Sequence, residues 1–403
     1  MGRHSYRGDS AGARRLIVAT AAVIAVVVAV QVWLDHRKDP GKATPTPTAG
    51  APTTGAPTSG PPADGRCPAG NAPVDVAADA TVASALAEIA TTYNATRPVV
   101  ANRCVAVSVR AADARETLTS LTSPQPPTGP AAWIPQSSVW SAALTVAKPD
   151  AIAGQPASLV TSPVVVASRP ELLAASGNGG EWLNAPYLTY ENAFAAYGEF
   201  KITGSARMAM PVGPGSDATA LVAQAYAYNA TLAKNPDAGP LSGRAVAAAP
   251  IQTGLGQLVH NPPKVGDGSA EAAVRAIAAA PDVEAARVRT VPISEQQLYL
   301  ATRDWKQRKL GVFRPHGATP VLDYPVIRLS GAPSYSSDAV DGFIAYAKSP
   351  TQIARLTRLG FRGPGPLPAA TPNVDFPALR RVMPTAQPGG AVAVSRVVLP
   401  SAE

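Results

Sequence analysis

One apolar run, Leu16 to Leu34, constrains this chain more than any other feature, because nothing polar interrupts it except Thr20 and Gln31. At 1.5 Å rise per residue, roughly 20 such residues cross the ~30 Å hydrocarbon core of a bilayer. Arg3, Arg7, Arg14 and Arg15 precede the run against a single acid, Asp9, whereas Arg37 and Lys38 behind it are offset by Asp35 and Asp39. That bias predicts residues 1–15 in the cytoplasm, a transmembrane helix over 16–34 and everything later outside the cell. A cleaved signal peptide is the rival, but its apolar region spans only ~7–15 residues and ends in a small-residue site. Here the run ends in Val32-Trp-Leu-Asp-His36, so the expectation is an uncleaved signal anchor.

Residues 35–66 are dominated by Pro, Thr, Ala, Gly and Ser, a composition that buries no core and favours extended geometry. They read as a spacer. Beyond them lies a segment long enough for two lobes. Its two cysteines, Cys67 and Cys104, both follow the predicted crossing, and an even pair in an oxidising compartment most simply forms one disulfide. Metal ligation is the rival, yet His4, His36, His260 and His316 are scattered and supply no nearby partner. The net charge of +8 is diffuse. Nucleic acid is not expected as a partner.

The pattern from Pro73 onward alternates strands and helices. Val82, Leu86, Ile89, Ala90 and Tyr93 fall at helical spacing behind an N-cap at Asp79 or Thr81. Arg103–Arg110 alternates like a strand, Ala111–Leu121 reads as helix, Ala131–Pro135 as a buried strand, and Val139–Leu144 follows the polar loop Gln136-Ser-Ser138. This is the rhythm of a parallel α/β sheet. Ser162–Ala167 is another strand. Met208 onward predicts a strand running into Gly213-Pro-Gly-Ser-Asp217 and then a helix over Ala218–Leu232. Ser294 caps a further helix. The tail, residues 363–403, is Pro- and Gly-rich and reads as poorly ordered, with strand propensity over Ala391–Leu399.

Three segments in this order, Trp133-Ile-Pro-Gln-Ser-Ser-Val-Trp140, Thr161-Ser-Pro-Val-Val-Val-Ala167 and Asp323-Tyr-Pro-Val-Ile-Arg-Leu329 with Gly360-Phe-Arg362, carry a resemblance. Together they resemble the extracellular solute-binding domain of actinobacterial membrane proteins, which has the type II periplasmic-binding-protein fold and is often followed by a von Willebrand factor type A domain. The resemblance covers Cys67 to Arg362. It implies a domain over 67–362 with two α/β lobes, one built from 67–160 and 323–362 and the other from 161–322, closing on a ligand between them. No D-x-S-x-S metal motif occurs and only about 40 residues follow Phe361, so the expectation is a relative lacking the von Willebrand module.

Ligand-binding candidates under this reading are Asp79, Thr81, Ser137, Ser138, Ser162, Ser216, Asp217, Thr219 and Glu295. Each has a plainer alternative. Asp79, Thr81, Ser216 and Asp217 suit helix capping, and Glu295 suits a helix dipole. The glycine-rich turn before Ala218 offers backbone N–H groups to an anion, which Asp217 would oppose. Trp133 and Trp140 read as core. No G-x-S-x-G, H-E-x-x-H, Walker or G-x-G-x-x-G pattern is present, so neither an enzyme, a cofactor nor a metal is expected. The function expected is a membrane-anchored receptor presenting a small ligand, an anion among the candidates, to a transporter or sensor. The alternative is an envelope scaffold that keeps the fold for partner contacts without transport.

Overall fold

A computed structural model describes residues 66–124, 129–175, 180–189, 205–264 and 266–399. The Leu16–Leu34 run and the linker up to Gly65 lie outside them, and among the described residues no helix is long and apolar enough to cross a membrane. In chain order come β1 (Asn71–Ala78), α1 (Ala80–Ala95), β2 (Val99–Val100), β3 (Arg103–Ala111), α2 (Ala114–Thr122), β4 (Ala132–Ile134), α3 (Ser138–Ala147), β5 (Ala157–Ser158), β6 (Ser162–Ser168) and α4 (Pro170–Ala175). A 3-10 segment at Trp182–Thr189 precedes α5 (Ala218–Lys234), α6 (Gly243–Val246), α7 (Ala249–Leu258), α8 (Ala270–Ala279), β7 (Thr290–Ser294) and α9 (Glu295–Thr302). The chain continues through β8 (Gly311–Phe313), β9 (Val321–Leu322), β10 (Pro325–Arg328), α10 (Ser334–Ala347), α11 (Pro350–Arg358) and α12 (Pro388–Val398).

Two sheets divide these strands. The first runs β2-β3-β1-β4-β10-β5, and β1 lies parallel to both β3 and β4. Its rhythm follows from periodicity: Val82, Leu86, Ile89 and Tyr93 are buried on one stripe of α1 beside the apolar face of β1. Cys67 and Cys104 form a disulfide that ties the start of the domain to β3.

The second sheet runs β7-β6-β8, with β9 also on β6, and every one of these pairings is antiparallel. Here the parallel arrangement expected from the strand–helix rhythm gives way. The chain leaves the first lobe along β6 and returns along β9, with Ser162 opposite Leu322, and an out-and-back pair is antiparallel by necessity. The strand expected at Met208 shrinks to a single bridge with Thr290. The crossings stay paired at the waist: Leu159 donates its N–H to the Tyr324 carbonyl, and Thr161 and Arg362 exchange backbone bonds of 2.9 and 2.7 Å.

The tail differs most from its sequence reading. Asn373 is buried and accepts from the backbone N–H groups of Lys309 and Leu310, Val374 enters the second core, and Thr319 bridges Val382. The stretch read as strand-prone is α12. Its Ala391, Val394 and Val398 recur on one helical face and are buried, and burial of that stripe outweighs the strand preference of valine.

Candidate functional site

The polar loop after β4 and the glycine-rich turn before α5 meet between the sheets. Ser137 is the N-cap of α3 but does not cap it with its side chain. Its hydroxyl instead donates to the Asp217 carboxylate at 2.6 Å. Asp217 stands at the N-cap of α5, and it too leaves its own helix uncapped. The Trp140 indole N–H donates to both Asp217 oxygens, at 2.9 and 2.8 Å. Two residues have thus given up local capping, usually ~1 kcal/mol each, for a contact between lobes. A further carboxylate serves the same helix, since Asp323 accepts from the Ser138 N–H at 2.7 Å.

Two glutamines complete the closure. Gln136 accepts from the Asp217 backbone N–H at 3.0 Å and donates to Gln297 at 3.3 Å. Gln297 in turn donates to the Gly215 carbonyl at 2.9 Å and to Glu271 at 3.2 Å, while Ser294 caps α9 from the same cluster. On the first-lobe side, Asp79 caps α1 by accepting from the Thr81 N–H and hydroxyl. Thr81 also bonds the Tyr324 hydroxyl at 2.9 Å.

Burial sets the electrostatics. Desolvation pushes the Asp217 carboxyl up to about 7; its bonds to Ser137 and Trp140 act the other way, and the nearby Asp79 charge adds to the rise. Burial likewise raises Asp79, and raises Asp323 to about 6. A cavity of about 50 Å³ remains, lined by Asp79, Asp113, Arg115, Trp140, the 212–217 turn and Leu399. That is room for a few water-sized groups, each needing ~10–15 Å³.

The other candidates fall elsewhere. Ser162 accepts from the Gln296 N–H at the waist. Ser216 lines the cavity, whereas Thr219 is fully buried behind it with no partner for its hydroxyl. Glu295 is fully buried in an ion-pair knot, with Arg362 at 2.8 Å and Arg314 at 3.2 Å. It ties the waist to the tail. Gln136, Trp140, Gln297, Asp323 and Tyr324 were not among the sequence-derived site residues. Gln136 and Trp140 were within reach, since both flank the serines in the first resemblance segment; Gln297 carried no such signal. Among the described residues no group of three or more His, Cys, Asp and Glu is placed to hold a metal ion.

A two-lobed α/β body with polar side chains converging at its waist has the fold of the periplasmic binding proteins. The chain belongs to the bacterial extracellular solute-binding protein family, whose model matches residues 74–362. By that membership it stands among proteins that bind solutes rather than transform them. An uncharacterised protein of Mycobacterium tuberculosis, matched in strains H37Rv and CDC 1551, is 34% identical over 317 residues, covering 76% of this chain. The chain spans 44% of the length of those relatives. Among solved structures, a ferric binding protein from Campylobacter jejuni matches 81% of this chain and 97% of its own with a TM-score of 0.53 at 11% identity. A Trichodesmium protein (IdiA, FutA), in complex with iron and citrate, matches 81% and 98% with 0.52 at 10%, and iron-bound HitA from Pseudomonas aeruginosa 81% and 99% with 0.51 at 12%. At these identities the likeness is one of fold.

Proposed function

We propose that the protein is a membrane-tethered receptor held outside the cell by Leu16–Leu34 and the 35–66 spacer, with lobes of 67–160 plus 323–362 and of 161–322 that close on a small acid-bearing solute. The observation that carries this reading is the seat of Asp217. Ser137 and Trp140 present two donors on the first lobe at the start of a helix, and in the closed state they hold a carboxylate. A solute with a carboxylate or comparable oxyanion takes that seat once the lobes part and withdraw Asp217. Presentation to a transporter is the role that family membership supports; a sensor is an extension of it. The iron named for the structural neighbours is not carried over, because among the described residues no group of three or more His, Cys, Asp and Glu is placed to hold a metal ion.

A thermal-shift panel of small carboxylates, oxyanions, sugars and amines on the full chain tests the reading. Ligand at a hundredfold excess over Kd stabilises by about 2.7 kcal/mol, so an acid should raise the Tm. A panel in which no acid does so contradicts the assignment. A second reading, the envelope scaffold, draws support from one observation: the lobes bond each other directly through Asp217, Gln136 and Gln297. Cross-linking in intact cells separates the two, with a permease expected for the first and a cell-wall or division complex for the second.

A further inference from the structure

The segment after the family-matched region is built as a strap. From Arg362, paired with Thr161 at the waist, it runs along the second lobe through Asn373 and Val382 and ends in α12. That helix packs on α3 of the first lobe and on α5, α6 and α7 of the second. Its entry is cut for close approach: Gln387 donates its N–H to the Leu241 carbonyl at 3.0 Å, and a Cβ on Gly390 would lie 2.2 Å from that same oxygen. Ala391, Val394 and Val398 are buried, and Leu399 reaches the apolar cluster of Trp133, Trp140 and Leu144 and lines the cavity beside Asp217.

α12 therefore grips both lobes at once, and grips the first through the helix whose N-terminus holds Asp217. We propose that α12 is an intramolecular clamp: the lobes open, and solute exchanges, only when it releases α3. This goes beyond the solute-binding reading and does not depend on what the solute is. Opening swings the two lobes about the paired crossings at 159–162 and 322–324, and a helix packed on both sides of the cleft has to give up one of them. In two-state proteins the minor conformation is commonly ~0.1–10% populated, so a clamp need only suppress a small open fraction to set the exchange rate.

The test places spin labels at Glu88→Cys on α1 and Arg275→Cys on α8, both exposed, in the full chain, and measures their separation by pulsed electron resonance. Val394→Asp and Gly390→Val should each add a longer-distance population at least about tenfold above the wild-type level, within the range expected of a two-state protein. Arg396→Ala, on the exposed side of α12, should leave the distribution as it was. An unchanged distribution in folded Val394→Asp and Gly390→Val overturns the clamp. Should neither variant fold, the milder Val394→Ala decides, since Val394 is buried on the packed face of α12, and an unchanged distribution in it overturns the clamp. Loss of the clamp would leave any acid-induced thermal shift in place, so the two failures are distinguishable.

Discussion

Asp217 of the second lobe and Ser137 of the first are each the N-cap of a helix, yet their side chains bond each other at 2.6 Å rather than their own backbones. The closed form is held by a carboxylate from one lobe seated on donors of the other. Titration of that carboxylate is therefore titration of closure.

Stability should fall as pH rises. Asp217 and Asp323 have folded-state values of about 7 and about 6, above the ordinary 3.8, and Asp79 is raised in the same direction. Over that window the folded chain keeps protons that the unfolded chain has released, so stability is lost with increasing pH up to the folded values. The rise of Asp217 from 3.8 to about 7 corresponds to about 4 kcal/mol. Melting curves should give a higher Tm at pH 5 than at pH 8, with the gap narrowed by Asp217→Asn. A Tm that climbs from pH 5 to pH 8 would refute this.

The waist knot should be sensitive to charge removal. Glu295 is fully buried while Arg362 and Arg314 are 13% and 27% exposed. Glu295→Gln removes the charge both arginines share, so it should cost more than the ~1 kcal/mol of an exposed pair and less than the ~3–5 kcal/mol of a fully buried one. Urea denaturation should show a lower midpoint of that size. A shift below about 1 kcal/mol, the scale of an exposed pair, would mean the knot is solvated.

Removing the Cys67–Cys104 bridge frees a segment with a sequence separation of 37 residues. In the chain-entropy model the Cys67→Ser, Cys104→Ser double variant loses about 3–4 kcal/mol. Equal midpoints for wild type under oxidising and reducing conditions would argue against that contribution.

The anchor is a proposal with its own test. Full-length protein should stay in the membrane pellet through alkaline carbonate extraction, and protease added to intact cells should remove the region after residue 66. Release of a soluble form beginning beyond Leu34 would favour the cleaved signal peptide.

Legibility in the sequence followed the length of each periodic signal. The stripe of Val82, Leu86, Ile89 and Tyr93 and the apolar run Ser162–Ala167 read directly as helix and strand, because each is buried as its pattern dictates. The class of fold was legible from three short segments. α12 was not, because Val394 and Val398 favour strand locally and only a groove formed by distant elements makes them helical. The serines of the polar loop were found, but capping and ligand contact look alike in one dimension. What distinguishes them is a partner 80 residues away, Asp217 for Ser137, which no local pattern encodes.

Chemical rescue tests the central claim most directly. Asp217→Ala leaves the Ser137 hydroxyl and the Trp140 indole without their acceptor, and added formate or acetate should restore closure, raising the Tm saturably. The same anions should have no saturable effect once Ser137→Ala and Trp140→Phe are added. No rescue in Asp217→Ala, or an equal rise in the variant stripped of both donors, would contradict the account that these two groups form the seat for an acid.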